Sequence, residues 1–492
     1  MSATVTGKSC SCYKTYVSIN IFAPEMSKEN HPLEPQSYAM HQDRSLIHRL
    51  PSEVLATIFI FCLPKATQLR PIKPISTSDA PLLLCNICSF WRRLAISIPQ
   101  LWNRFSSFRR VSVAPRGEEQ TYTDRFIECT HTWLRRAGAL PLSIYFSSPP
   151  LFHTTEHRLY AAIWECASKW EDATICTQVP FASWSNLGDL PLLHTLRIWG
   201  SFDPMGLRGS VPFDSAPNLR ILTLPEIITP PMAISGIPWA QLTEFAVYED
   251  VAFFKVIEII ECCPRLESLI LEDIGSPEAD SGIPTSLRIT HSALRSVDFT
   301  FIQDCRPLLE SLTLPALTTL YMGYYSLEVL ENESFSQENR SFFTELIGLF
   351  TRSNCELQEL GLYNSPFGQR ELLQCLEHRS CETLSCLRVE NDFYHEIMVD
   401  DELLMRLTFA KDESEARLCP GLSDLLLEKC CSESRSPGLL GEMVWSRRFG
   451  CTEASRLWSF GLVVRHSLPE ADDALLKQAE EDGLRLKVSF PL

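Results

Sequence analysis

Two hydrophobic spacings alternate along the chain. The first is helical. Leu55, Ile58, Phe59 and Cys62 recur at i, i+3, i+4 and i+7, one side of a helix. Pro51 has the fixed φ that suits a first helical position, and Leu63-Pro64 ends the element because proline cannot extend the hydrogen-bond ladder. Residues 65–79, with Pro71, Pro74 and a Ser-Thr-Ser run, read as a surface loop. A second helix is predicted from Pro81, with Asp79 as an upstream cap. It carries Leu84, Ile87, Cys88, Trp91 and Leu94 on one side, and Leu83 and Phe90 widen the arc. Ile98-Pro99 closes it, and Leu101-Trp102 starts another apolar anchor. A helix this apolar must be contacted on two sides, and the pair is too small to bury its own faces.

The spacing then predicts a helix over 124–137 (Phe126, Ile127, Thr130, Trp133, Leu134), a strand over 140–146, a helix over 156–170 (Leu159, Ile163, Cys166, Trp170) and a strand over 173–179. From there a second pattern takes over. A Leu-x-x-Leu-x-Leu frame, with Phe, Val, Ile or Met in some positions, begins at Leu193/Leu196/Ile198. It recurs from Leu219, Leu242, Leu266, Leu294, Leu309, Leu317, Leu357, Leu384 and Leu422. Most neighbouring frames are about 23 to 28 residues apart, within the range of leucine-rich repeats. Two intervals of about forty residues, from Leu317 to Leu357 and from Leu384 to Leu422, mark inserted or degenerate turns. Helical patterns fill several gaps, at Phe253/Val256/Ile257/Ile260, at Phe342/Leu346/Leu349/Phe350 and at Leu372/Leu373/Leu376. A helix over 471–481 and a strand over 484–490 can cap the array.

The expected fold class is therefore α/β. A short N-terminal helical unit precedes an irregular leucine-rich-repeat-like solenoid with parallel strands and helices on the outer face. The expected boundaries are a disordered polar lead over 1–45, the helical unit over 46–105, a helix-and-strand linker over 106–180, and the repeat domain with its C-terminal cap over 181–492. In each frame the leucines point inward, so alternate strand residues face the other way, onto the concave side of such a solenoid. Those positions hold Arg197, Trp199, Glu244, Tyr248, Glu272, Asp298, Tyr321, Tyr363, Arg388, Asp424 and Glu428. Charged and aromatic residues together suit protein binding, and Arg197, Trp199, Tyr248, Glu272, Asp298, Tyr363 and Arg388 are the candidate target contacts.

Charge narrows the function. With 61 acidic against 44 basic side chains, a net charge of −17 and a pI near 5.2, the chain lacks the cationic surplus that grips nucleic acid. The local run of Arg92, Arg93, Arg104, Arg109, Arg110, Arg116, Arg125, Arg135 and Arg136 reads as solvated faces. The 19 cysteines, with adjacent pairs at Cys262/Cys263 and Cys430/Cys431, are scattered through apolar segments without framework spacing, as expected of reduced thiols in the cytoplasm or nucleus. Neither a signal peptide nor a membrane span is expected, so the reading is of a soluble protein.

Chemistry-bearing motifs are few. Cys85-x-x-Cys88 has no second ligand pair and sits in an apolar helix, so it reads as core. There is no G-x-S-x-G, no H-E-x-x-H and no phosphate-cradling glycine loop, and His131, His194, His291 and His378 are isolated in sequence. The expectation is a protein without enzymatic activity, cofactor or metal.

One ordered combination remains: Leu50-Pro51-x-Glu53, then Phe61-Cys62-Leu63-Pro64, Cys88-x-x-Trp91-Arg92 and Pro99-x-Leu101-Trp102. Together these resemble an F-box, in a variant similar to the large fungal F-box set; the departure at Cys85-Asn86-Ile87-Cys88 is volume-tolerant. The resemblance implies that Leu50, Pro51, Glu53, Leu55, Ile58, Phe59, Leu84, Cys88 and Trp91 contact a Skp-family adaptor, which joins the chain to a cullin. It further implies that the repeats hold a target protein for an SCF-type cullin-RING ubiquitin ligase. The alternative is a repeat scaffold with no ligase role.

Overall fold

The structure is a computed structural model that describes residues 46–64, 76–108, 119–147, 160–161, 163–176, 188–199, 215–226, 236–249, 251–275, 287–301, 305–324, 335–365, 368–391, 399–409, 418–431, 436–450, 453, 456–464 and 466–490. The expected lead over 1–45, most of the expected loop over 65–79, and residues 156–159 and 177–179 of two predicted elements lie outside the described residues. Two compact units divide the chain, the first reaching Asn218 and the second starting at Leu219.

The first unit opens with α1 (Ser52–Phe61), entered through Pro51, whose φ of −55° matches the helix it precedes. The expected second helix is in fact two, α2 (Leu82–Ile87) and α3 (Ser89–Ile96). The break falls at Cys88, which is extended at φ −159°, ψ 170°. Two side chains take over the bonds that a continuous helix would make. The Cys88 thiol accepts from the Trp91 N–H at 3.4 Å, which caps α3, and Arg92 Nε donates to the Cys85 carbonyl at 2.8 Å. Pro99–Leu101 forms a 3-10 turn, and the buried Trp102 donates its indole N–H to the Ala95 carbonyl at 2.9 Å.

The chain then enters β1 (Arg104–Phe108), α4 (Glu119–Ala137), β2 (Leu142–Ser147), β3 (Trp170–Cys176) and β4 (Thr195–Trp199). These strands pair in parallel in the order β1-β2-β3-β4. Trp133 of α4 meets Trp102 edge-on at 4.8 Å and donates its indole N–H to the Arg104 carbonyl at 3.0 Å, which ties α4 to the start of the sheet. Trp170, expected on a helix face, begins β3 instead. The 3-10 turn Ala167–Lys169 delivers it in extended conformation, and it is fully buried.

The second unit runs β5 (Ile221–Glu226), β6 (Glu244–Glu249), α5 (Phe253–Cys262), β7 (Ser268–Ile274), β8 (Ile289–Thr290), β9 (Ser296–Phe301), α6 (Arg306–Ser311), β10 (Leu312–Thr313) and β11 (Thr319–Tyr324). It continues through α7 (Phe335–Ser353), β12 (Glu359–Tyr363), α8 (Gln369–Leu376), β13 (Cys386–Glu390), α9 (Asp401–Leu407), β14 (Asp424–Glu428), α10 (Leu439–Phe449), β15 (Ser459–Val463), α11 (Glu470–Glu481) and β16 (Arg485–Ser489). Its main sheet is wholly parallel, in the order β5-β6-β7-β9-β11-β12-β13-β14-β15-β16. Strands added one after another in one direction, with crossovers of one hand, put their connections on one side of the sheet. The frame residues point to that side: Leu222, Phe245, Leu269, Val297, Leu320, Leu360, Leu387 and Leu425 are all buried.

The array differs from the predicted one at both kinds of irregularity. The frame at Leu309/Leu312/Leu314 is not a strand of the main sheet. Leu309 lies in α6, and β10 pairs with β8 in a separate two-stranded sheet. Conversely, Leu457/Phe460/Leu462, absent from the predicted array, fits the same frame with a central phenylalanine and leads into β15, with all three side chains buried.

Core leucines and outward residues should therefore differ sharply in their contribution to stability. Leu360→Ala is expected to cost about 2–5 kcal/mol, because β12 cannot collapse onto the space left. Arg388→Ala on the opposite side should cost under about 1 kcal/mol. Urea denaturation followed by far-ultraviolet circular dichroism checks the contrast.

Candidate interaction surfaces

In the first unit α1 carries two apolar stripes. Leu55 and Phe59 are fully buried, with Phe59 4.8 Å from the half-buried ring of Trp91. Leu84 of α2 is buried as well. These residues, expected among the adaptor contacts, are interior and hold the three helices together. Cys88 is half-buried and occupied as the α3 cap. Leu50, Pro51, Glu53 and Ile58 are exposed.

The surface also includes residues that the sequence reading left out. Val54 and Phe61 form an outer stripe with Ile58 on α1, next to the exposed Leu50, and Leu83 and Ile87 of α2 and Phe90 of α3 are exposed as well. Phe61 is 83% exposed and Ile87 55%, an unusual disposition for large apolar side chains. The spacing shows it in part: Val54, Ile58 and Phe61 recur at i, i+4 and i+7, and Ile58 borders both this stripe and the one that carries Leu55 and Phe59.

In the same unit Arg197 and Trp199 of β4 are half-buried and alternate with buried Leu196 and Ile198. Arg197 Nη1 lies 3.3 Å from Asp172 Oδ1 on β3. Burial raises the Asp172 carboxyl above its usual range, and the Arg197 charge opposes that rise.

The second unit places Tyr248, Glu272, Asp298, Tyr363 and Arg388 on the side opposite its leucines, half-buried except for the exposed Arg388. Parallel register aligns them into rows. Asp298 of β9 pairs with Tyr321 of β11, Tyr321 with Gly361 of β12, and Gly361 with Arg388 of β13. Tyr321 and Tyr363 are stacked, with centroids 6.0 Å apart and planes 16° apart. The Tyr321 hydroxyl donates to Glu359 Oε2 at 2.6 Å, and the Arg388 guanidinium lies 5.6 Å from the Tyr321 ring centroid.

Gly361 makes this arrangement possible, since a Cβ there would fall 2.0 Å from Tyr321 Cδ1. Tyr321 was read as outward-facing but not as a candidate contact, and Glu359 and Gly361 were not singled out. Their role arises from neighbouring strands, although a glycine at an outward strand position was a visible cue.

Glu272 and Asp298 are the electrostatically unusual members. Burial, with Asp298 and Asp273 nearby, pushes the Glu272 carboxyl up to about 7. Burial alone raises Asp298 to about 6. Burial also raises the Tyr321 and Tyr363 phenols. Among the described residues no group of three His, Cys, Asp or Glu could hold a metal ion, and no helix is long and apolar enough to cross a membrane.

No family model and no curated protein matches the chain. The fold and its surfaces define a class: an α/β protein with parallel sheets of sequentially ordered strands, carrying an apolar helical surface in one unit and an aromatic–acidic sheet face in the other.

The two raised carboxyls give stability a definite pH dependence. Their folded values lie above the ordinary 4.5 and 3.8, so the native state holds protons that the unfolded chain has released. Their contribution is complete at low pH and is lost as pH rises from about 4 to about 7. Glu272→Gln with Asp298→Asn removes that loss. The melting temperature of the variant relative to the wild type is expected to climb across this range and then level off, as differential scanning calorimetry in a pH series would read.

Proposed function

We propose that the protein is the substrate-recognition subunit of an SCF-type cullin-RING ubiquitin ligase. The observation that carries this reading is the outer stripe of α1, where Val54, Ile58 and Phe61 are exposed next to the exposed Leu50 of the Leu50-Pro51-x-Glu53 opening that resembles an F-box. An apolar stripe left in water on a small helical unit costs solubility unless a partner covers it. In this reading a Skp-family adaptor covers it, with Leu83, Ile87 and Phe90 at the border, and brings a cullin with it.

The strand–helix repeats of the second unit act as the target receptor, in the manner of leucine-rich repeats. No residue of the chain performs chemistry. The gain is proximity, because a target tethered near the charged conjugating enzyme experiences a raised effective concentration. Cytoplasm or nucleus is where such an assembly works.

Ile58→Asp with Phe61→Asp places two charges in the stripe without touching the buried Leu55 and Phe59. Co-purification of the adaptor with the full chain is expected to fall at least tenfold, with the circular dichroism spectrum unchanged. Undiminished adaptor capture by the variant would refute the reading, and absence of capture by the wild type would favour a scaffold with no ligase role.

A further inference from the structure

Tyr321 lies flat against the sheet instead of standing out from it. The space above Gly361 admits the ring, the bond to Glu359 fixes its hydroxyl, and Tyr363 stacks alongside at 16°. Gly323, on the same strand as Tyr321, admits the main chain of β12 instead of a ring, since a Cβ there would fall 2.0 Å from the Tyr363 carbonyl oxygen. Two glycines and two tyrosines thus form a rigid aromatic shelf across β11 and β12. Such a shelf makes contacts at little cost in side-chain entropy.

The charges around the shelf are one-sided. On the β13 side Arg388 lies over Tyr321, so the ring already accepts a guanidinium of the chain itself. On the β9 side Asp298 is the direct cross-strand partner of Tyr321, close enough to act on the Tyr363 phenol, and Glu272 of β7 lies beyond it. Among the described residues no lysine or arginine forms an ion pair with Asp298 or Glu272. Glu244, Glu390 and Asp424 extend the acidic character along the outward positions of β6, β13 and β14.

On the reading that the second unit holds a target, we propose that this face takes a cationic segment of a partner protein. A lysine or arginine side chain lies along Tyr321 and Tyr363 with its charge against Asp298 and Glu272. The aliphatic stem covers the rings while the head group meets the two carboxylates. Anionic partners, including nucleic acid and acidic lipid surfaces, are repelled by the same groups. The cation also offsets the cost of ionising two half-buried acids that form no ion pair with a lysine or arginine among the described residues.

The test uses the full chain at low salt and fluorescence anisotropy with a labelled peptide of alternating lysine and serine. The glutamate–serine counterpart serves as the reversed probe. Because the net charge of −17 attracts any cation, Glu272→Gln/Asp298→Asn is compared, at a pH well above 7 where both acids are ionised, with Glu480→Gln/Glu481→Gln on the exposed end of α11, which then changes net charge equally. The first pair is expected to weaken the lysine peptide at least tenfold and the second less than twofold. Tyr321→Leu, which keeps apolar bulk but removes the ring face, should weaken it severalfold.

Affinity for the wild type should fall as pH drops through about 7 and then about 6, where Glu272 and Asp298 take up protons. Equal weakening by both charge-matched pairs, or equal binding of the glutamate peptide, would overturn the proposal. Adaptor capture, measured on the same variants, separates the two readings. Capture without peptide selectivity sinks the cationic segment alone, and peptide selectivity without capture sinks the ligase assignment alone.

Discussion

One main-chain carbonyl in each repeat accepts two N–H groups from the next, and the second unit depends on that shared acceptor. The Arg220 carbonyl takes Thr243 N–H at 2.8 Å and Glu244 N–H at 3.1 Å. The same double contact recurs from Thr243, Glu267, Arg295, Thr318, Gln358, Ser385 and Ser423 to their successors. Each accepting residue immediately precedes its strand, so the contact sets the register before the strand begins. A slip by one position would turn every frame leucine to the other face of the sheet. Since the register is held from β6 to β15, one frame position in each repeat decides what a whole row across the sheet presents. The row Asp298–Tyr321–Gly361–Arg388 is such a product.

Between strands the connections vary, and their carbonyls need donors that no regular element supplies. Two buried arginines, one half-buried arginine and one buried histidine provide them. Arg447, fully buried on α10, donates to the carbonyls of Leu407 at 2.6 Å, Leu418 at 2.7 Å and Cys419 at 3.0 Å. Arg448 beside it donates to the Leu457 carbonyl at 3.1 Å and pairs with Asp482 at 2.9 Å. Arg352 reaches the Leu309 carbonyl at 2.7 Å across the irregular α6 turn. His291 accepts from Leu294 N–H at 3.1 Å, so its other nitrogen is the donor to the Cys263 carbonyl at 2.9 Å. A guanidinium is suited to this work because its forked donors satisfy several carbonyls that do not share an element. Irregular repeat lengths are thus tolerated through side chains while the strand register stays constant.

The leucine frames were legible because two periods, 2 for strands and 3.6 for helices, alternate over segments long enough to separate them. What escaped was set by contacts that no period encodes. The break at Cys88 needs a thiol acting as a cap and Arg92 reaching back to Cys85, whereas the helical spacing of Leu84, Ile87, Cys88, Trp91 and Leu94 reads as one helix. Leu309/Leu312/Leu314 matches the frame letter for letter, yet α6 claims Leu309 and leaves only a two-residue strand. β15 is the exception, since Leu457/Phe460/Leu462 fits the frame with a central phenylalanine just as Leu242/Phe245/Val247 does and was legible in the sequence. On the open face, parity identified which side chains point outward, including Glu272 and Asp298. The flat seat of Tyr321 on Gly361 belongs to a pair of strands and is invisible in either alone.

Both surfaces carry a stability cost that packing alone gives no reason to keep. An exposed sheet face must be polar, but serine or threonine would meet that need without two acids pushed above their ordinary range by burial and proximity. Likewise, α1 would be stable with Leu55 and Phe59 inward and charged residues at 58 and 61, whereas the chain places Ile58 and Phe61 there in water. Local departures from an otherwise consistent fold, each with an evident physical cost, are the places where function outweighs stability. Here the two departures differ in chemistry, one apolar and one anionic. On the proposed reading, a partner that relieves the first by covering hydrocarbon does nothing for the second, where a cation offsets the charge, so the two surfaces would take different occupants.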